Sequence, residues 1–260
     1  MRYDAIMATC STRTTRAFRL AILCLLPARL AAGQAAPEPP PRFESTAQFT
    51  LLANTGNSEA TSLGIGGDMT YRPNPWVYTA KTAFAQNEDK DGLSARFFGG
   101  LFRAARTINP RLAAYSQYDY LRDLFAGIEQ RHTVEGGLSF LLVDSAPHRL
   151  RLDGAIGYQK ELRLARDDFD SAVAIVGPGY RWVISPTSAF ADEARFTQAF
   201  ADADAWKFDN TASLTAALTS VFSLKVSNII RYAHDPVPGF KQTDTITSVA
   251  LVMSITRPGP

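Results

Sequence analysis

The stretch GNSEATSLGIGGDMTYR, residues 56–72, places its large apolar residues on every second position: Leu63, Ile65, Met69 and Tyr71. Ser62, Gly64, Gly66, Asp68 and Thr70 fall between them. Successive side chains of a strand point to opposite faces, so a period of two marks an extended segment with two environments. One face here carries grease; the other carries glycine, hydroxyls and a carboxylate. The parity recurs along the chain. Phe49 and Leu51, Val134, Leu138, Phe140 and Leu142, Leu150 and Leu152, Ile156 and Tyr158, Leu214 and Leu218, and Val249 to Ile255 by twos share one face. Gln48 and Thr50, Glu135 and Ser139, Arg149, Arg151 and Asp153, Ser213 and Thr215, and Ser248 and Ser254 share the other.

Turn chemistry divides this pattern at eleven places: residues 55–60, 73–75, 87–92, 107–111, 123–129, 144–148, 161–169, 185–188, 201–206, 219–221 and 235–242. Eleven turns separate twelve strands, and no segment keeps a 3.6-residue period. The turns alternate in kind. Even-numbered ones are tight and mostly carry proline (Pro73, Pro75, Pro110, Pro147, Pro186), whereas odd-numbered ones such as NEDKDG and ELRLARDDF are longer and richer in charge or glycine. An up-and-down antiparallel sheet with unlike ends produces this, and outer-membrane barrels have such ends, with an even strand number.

Composition agrees with export. Residues 1–35 have the layout of a signal peptide: Arg13, Arg16 and Arg19 precede the apolar run of residues 20–26, and small residues follow at 31–36. A Pro-rich spacer, residues 36–42, leads to a barrel expected over residues 43–257. Removing the signal takes five Arg and one Asp from 27 basic and 25 acidic residues, leaving 22 against 24. The residual charge gives no sign of a nucleic-acid binder. Both cysteines, Cys10 and Cys24, lie in the signal, so the mature barrel is expected to have no thiol or disulfide. No run of about 18 apolar residues follows the signal, which leaves strands as the only means of crossing a membrane.

Parity alone does not choose between a membrane barrel and a soluble lipocalin-like barrel with its faces inverted. Three features favour lipid outside. Twelve strands enclose a lumen too wide for apolar side chains to fill, Tyr and Trp cluster near strand ends as girdles do, and the less greasy face is rich in small residues. In strand eight Pro178 interrupts AIVGPGYRW and predicts a bulge or kink.

TGNSEATSLGIGGDMTYR, RDLFAGIEQRHTVEGGLSF and GPGYRW resemble the YdiY-like salt-induced outer-membrane protein family, a domain family without an assigned function. The resemblance runs from Phe43 to the end of the pattern. It implies a bacterial outer-membrane location, outer-membrane lipids and lipopolysaccharide as surroundings, assembly by the barrel-insertion machinery and a link to salt. It supplies no catalytic residues. The chain departs from such barrels at its end, where Ile255 runs into TRPGP with no terminal aromatic residue.

No enzyme chemistry assembles from the sequence. His132, His148 and His234 share parity with lipid-facing neighbours at strand ends, which fits interfacial residues better than a general base. No Gly-x-Ser-x-Gly elbow occurs. The acidic tracts DDFD (167–170) and ADADAW (201–206) lack the calcium-loop pattern, so no metal or cofactor is expected. The lumen is more informative. Parity lines it with Lys81, Arg149, Arg151, Arg195, Lys225 and Arg231 against Asp68, Asp119, Glu135, Asp153 and Glu193. Such charges either pair into a plug, because buried ions need partners, or line a narrow water-filled path. Arg149 and Arg151 are placed for an anion-favouring constriction, and Asp68 is expected to find a basic partner. The expected function is a structural envelope component or narrow passive pore for small polar or ionic solutes. A lipid- or lipopolysaccharide-modifying enzyme and a secreted binding barrel are the alternatives.

Overall fold

The computed structural model describes residues 41–55, 60–88 and 94–257. The signal segment, both cysteines, most of the spacer, the tips of the first and third turns and the last three residues lie outside the described residues. The strands are β1 (Phe43–Thr55), β2 (Ala60–Tyr71), β3 (Trp76–Glu88), β4 (Ser94–Asn109), β5 (Leu112–Asp123), β6 (Ile128–Asp144), β7 (His148–Arg163), β8 (Phe169–Ser185), β9 (Ser188–Ala199), β10 (Trp206–Ala217), β11 (Phe222–Ala233) and β12 (Thr243–Arg257). Each pairs antiparallel with its sequence neighbour. β12 returns to β1 with Phe43 opposite Arg257 and Thr55 opposite Thr245, so the sheet is a closed barrel without an edge. A 3-10 turn, Leu124–Ala126, joins β5 to β6.

The two faces separate as the parity requires, and their direction is now set. Leu63 is 77% exposed and Ile156 70%, on the outer wall, whereas Glu135 is 2% and Asp153 7% exposed inside. A soluble barrel would invert this arrangement. Apolar side chains project outward on every strand with described side chains, and the fold is an all-β, up-and-down antiparallel transmembrane barrel.

Aromatic belts bound the outer wall. At the short-turn end Trp76 stacks on Tyr78 at 6.0 Å, and His148 lies between Tyr180 at 6.1 Å and Trp182 at 6.0 Å. At the long-loop end Trp206 packs on Tyr232 at 4.9 Å and His234 at 5.1 Å, and Tyr120 meets His132 at 5.1 Å. Rings that are apolar in body and polar at the tip belong at a membrane–water boundary.

The glycines of β2 are explained by their neighbours on β1. A side chain at Gly64 would come within 2.9 Å of Leu52, and one at Gly66 within 2.7 Å of the Gln48 amide. The lumen space those glycines leave is therefore filled by β1.

Three expectations change. Pro178 does not produce a bulge: β8 pairs with β9 at Val176 opposite Phe196 and again at Gly179 opposite Glu193 in the same register, with the ladder interrupted only between them. The imide lacks the N–H that the ladder needs, and the strand stays aligned by its unbroken pairing to β7, where Pro178 faces Leu152. Register shifts occur instead near the rims, as at Thr107/Asn109, Leu141/Val143 and Val183/Ser185. The seventh turn is shorter than residues 161–169, because β7 continues to Arg163. Glu161, Leu162 and Arg163 thus belong to the wall. Asp68, finally, has no ion-pair partner among the described residues. Lys81 is its register partner on β3, but its ammonium reaches across the lumen to Glu193, and Asp68 instead accepts from the Thr46 hydroxyl at 3.3 Å.

The orientation predicts that Ile65→Arg costs about 2 to 4 kcal/mol of folding stability in lipid, the penalty of a cation near the bilayer midplane. Asp68→Asn should fold as the parent does. Urea titration of liposome-refolded protein, read by heat-dependent gel mobility, measures both; equal stabilities would mean that the faces are reversed.

Candidate functional site

The candidate site is the lumen, and bridges between its walls organise it. β5 and β11 lie six strands apart in a ring of twelve, so Asp123 and Arg231 come from opposite walls, yet Arg231 Nη1 donates to Asp123 Oδ2 at 2.6 Å. Lys81 on β3 and Glu193 on β9 are likewise opposed, and their charged groups approach to 3.7 Å. Long ionic side chains span what apolar ones would leave open.

Near the long-loop end, Glu161 is the hub. Its carboxylate accepts from Arg131 Nε, Arg163 Nε and Lys207 Nζ, each at 2.6 Å. An irregular pairing at the start of β6 permits this, since it turns both Ile128 and Arg131 inward although they are an odd number of residues apart. The β11–β12 loop, residues 234–242, covers this layer. Its Val237 side chain is buried, the Phe240 ring lies over Gly127, and Asp235 accepts from Arg166 of the β7–β8 loop at 2.5 Å. Gly127 has φ of 71°, and a side chain there would come within 2.5 Å of the Phe240 ring, so glycine is required twice over.

At mid-barrel Glu135 pairs with Arg195 through both carboxylate oxygens and accepts from the Tyr115 hydroxyl at 3.3 Å. Asp119 accepts from Gln117 at 2.9 Å and lies 3.9 Å from Arg195. Asp153 accepts from Arg103 at 2.8 Å and Ser139 at 2.6 Å, with Arg151 Nε 3.3 Å away. The Arg103 guanidinium lies 3.5 Å from the centre of the Tyr115 ring.

The bridges centred on Glu161, Glu135 and Asp153 follow the β4–β10 wall. The opposite wall is lined largely by small or uncharged groups, Thr50, Leu52, Ala83, Ala85, Ser227 and Ser248. Beyond the bridges the lumen opens at the short-turn end into a vestibule of 740 Å³ with a 390 Å³ side cavity. A 200 Å³ cavity along this sparsely charged wall shares Thr211 with the first and Lys225 with the second. At its far end this cavity shares Asp123 and Arg231 with a 70 Å³ space under the β11–β12 loop.

The profile model described as "Protein of unknown function, DUF481" matches residues 47–255. The chain belongs to this family. No curated protein sequence matches it. Among solved structures, a NanC porin aligns at 9% identity with a TM-score of 0.56, covering 80% of this chain and 98% of the porin, and shows the shared barrel fold. The KdgM porin in complex with disordered oligogalacturonate aligns at 6% identity, TM-score 0.47, over 81% of this chain and 99% of that one. The translocator domain of the autotransporter NalP from Neisseria meningitidis aligns at 10% identity, TM-score 0.47, over 84% and 90%.

In this DUF481 barrel Lys81, Asp119, Arg149, Arg151, Asp153, Glu193 and Arg195 line the vestibule, Asp68 and Lys225 the side cavity, and Arg231 the far end of the 200 Å³ cavity. Glu135 is buried within the wall network. Parity did not reach Arg103, Asp123, Arg131, Glu161, Arg163, Arg181 or Lys207. A parity count carried from Glu135 back to the start of β6 would find Arg131. The histidines stay on the outer wall, where His132 and His148 each bond a tyrosine hydroxyl at 2.8 Å. Carboxylates of the acidic tracts are used locally: Asp170 accepts from Tyr158, and Asp202 from the Asp204 amide.

Glu161→Gln should destabilise the barrel by about 3 to 5 kcal/mol, because three enclosed cations lose their common anion. Urea unfolding of the barrel in lipid checks this, and a loss below about 1 kcal/mol would show that the hub is solvent-screened.

Proposed function

We propose that this DUF481 protein is a bacterial outer-membrane barrel acting as a narrow passive pore for small polar or ionic solutes, with the short turns in the periplasm and the long loops outside. Lipopolysaccharide and phospholipid would meet the outer wall between the aromatic belts. Insertion would use the barrel-assembly machinery.

One observation carries the pore reading: the cavities adjoin one another along the sparsely charged wall, from the vestibule to the layer where Arg231 crosses to Asp123. A barrel serving only as a structural plug has no use for a wall of small residues opposite its ionic network. Solutes moving along that wall would pass Thr and Ser hydroxyls that replace part of a hydration shell. The passage narrows where Arg231, stacked over Phe97 at 4.8 Å and bonded to Asp123, lies beneath the β11–β12 loop. Passive movement of small ions would also suit the connection to salt that the family resemblance implies.

Planar bilayers containing the folded barrel test this. The parent should show small, resolvable conductance steps, and Arg231→Ala, which removes the crossing side chain, should enlarge them. Silence of both proteins in every salt, with folding confirmed by gel mobility, would remove the pore and leave a structural role in the envelope.

A further inference from the structure

The vestibule is not neutral. Eight Lys or Arg residues line it against four Asp or Glu, and three of those carboxylates are already engaged. Asp153 is held by Arg103 and Ser139, Glu193 faces Lys81, and Asp119 is held by Gln117. The surplus gathers at one place. Arg149 of β7 and Arg181 of β8 are direct register partners on the lumen face, and Arg151 lies two residues along the same face.

Like charges placed opposite one another on neighbouring strands destabilise a sheet. Arg149 has one carboxylate near it, Asp144 at 3.9 Å, in a pair whose side chains are 61% and 60% exposed, and such exposed pairs contribute little. Arg181 has no ion-pair partner among the described residues. Arg151 Nε is enclosed without a hydrogen bond, although Asp153 lies 3.3 Å from it. The backbone also makes room. Gly179 faces Arg151 in the register, and a side chain there would lie 3.2 Å from Arg151 Nη2. Three guanidinium groups thus share one stretch of wall, where the nearest carboxylate, Asp153, is already bonded to Arg103 and Ser139 and none pairs with Arg181.

We propose that Arg149, Arg151 and Arg181 form a binding site in the vestibule for a small oxyanion carrying two or more negative charges. The inference rests on the vestibule being open to solvent, as in the pore reading, but not on conduction through the barrel. Guanidinium groups present paired N–H donors that match the oxygens of a phosphate or carboxylate, which a spherical halide does not. A multiply charged anion also offsets the mutual repulsion of Arg149 and Arg181. Phosphate-type anions and small polycarboxylates share this chemistry.

Titration calorimetry on the full chain folded in detergent, at fixed pH and ionic strength, tests the site with inorganic phosphate, citrate and chloride as probes. Saturable binding of phosphate or citrate, with none for chloride, is expected, and the stronger of the two names the source. Arg149→Gln with Arg181→Gln should weaken binding by at least about tenfold, the loss of one charge-assisted bond. Lys160→Gln, which removes a cation from the outer wall, should leave it unchanged. If the double variant does not fold, Arg181→Lys, which keeps the charge and loses the fork, should still weaken it. Absence of saturable binding of both oxyanions to the folded parent, or equal affinity in the arginine variants, would overturn the proposal. Binding by a barrel that is silent in bilayers would remove only the pore; conduction without binding would remove only the site.

Discussion

Hydrocarbon offers no hydrogen-bond partner to a peptide group, and the pairing of β12 with β1 meets that constraint by leaving no unpaired edge. The rest of the structure depends on this closure. With the backbone satisfied, alternate side chains must face either lipid or lumen, so a period of two becomes a rule about chemistry. Twelve strands then enclose a space too wide for a simple apolar core. The chain fills it with long ionic side chains that meet from opposite walls, as Asp123 and Arg231 do at one level and Lys81 and Glu193 at another.

The ionic side chains are unevenly distributed, and that unevenness gives the lumen its functional shape. Bridges centred on Glu161, Glu135 and Asp153 rigidify the β4–β10 wall. The other wall, where uncharged side chains such as Thr50, Leu52, Ala83, Ser227 and Ser248 predominate, is left as a passage. Such a division lets one barrel be both mechanically tied and partly open. The β11–β12 loop covers part of the passage at one end through contacts made by three loops: Phe240 over Gly127, and Asp235 with Arg166.

Much of the architecture was legible in the sequence because strands and turns are local. The stretch from Leu63 to Tyr71 shows its two faces without reference to any other strand, and Pro110 or Pro186 marks a turn by itself. The partners were not legible, because pairing across a lumen depends on which strands the closed ring sets opposite one another; nothing near Asp123 points to Arg231, 108 residues away. Other losses have specific causes. β4 carries apolar Phe97 and Leu101 inside and Phe98 and Phe102 outside, which blurs its parity and hides Arg103. Glu161 and Arg163 were hidden by a turn drawn too long. Arg181 follows the broken ladder at Pro178, where the regular pattern of β8 is hardest to follow.

The central claim is that this barrel sits in a bilayer with its aromatic belts at the two interfaces. The three tryptophans, Trp76, Trp182 and Trp206, report on it directly, two at the short-turn end and one at the long-loop end. The measurement is quenching of their fluorescence in liposomes made from phospholipids brominated either near the headgroup or near the chain terminus. The account predicts strong quenching by the shallow bromines and weak quenching by the deep ones. Absence of quenching by both would place the apolar face away from lipid, and stronger quenching by the deep bromines would contradict the belts.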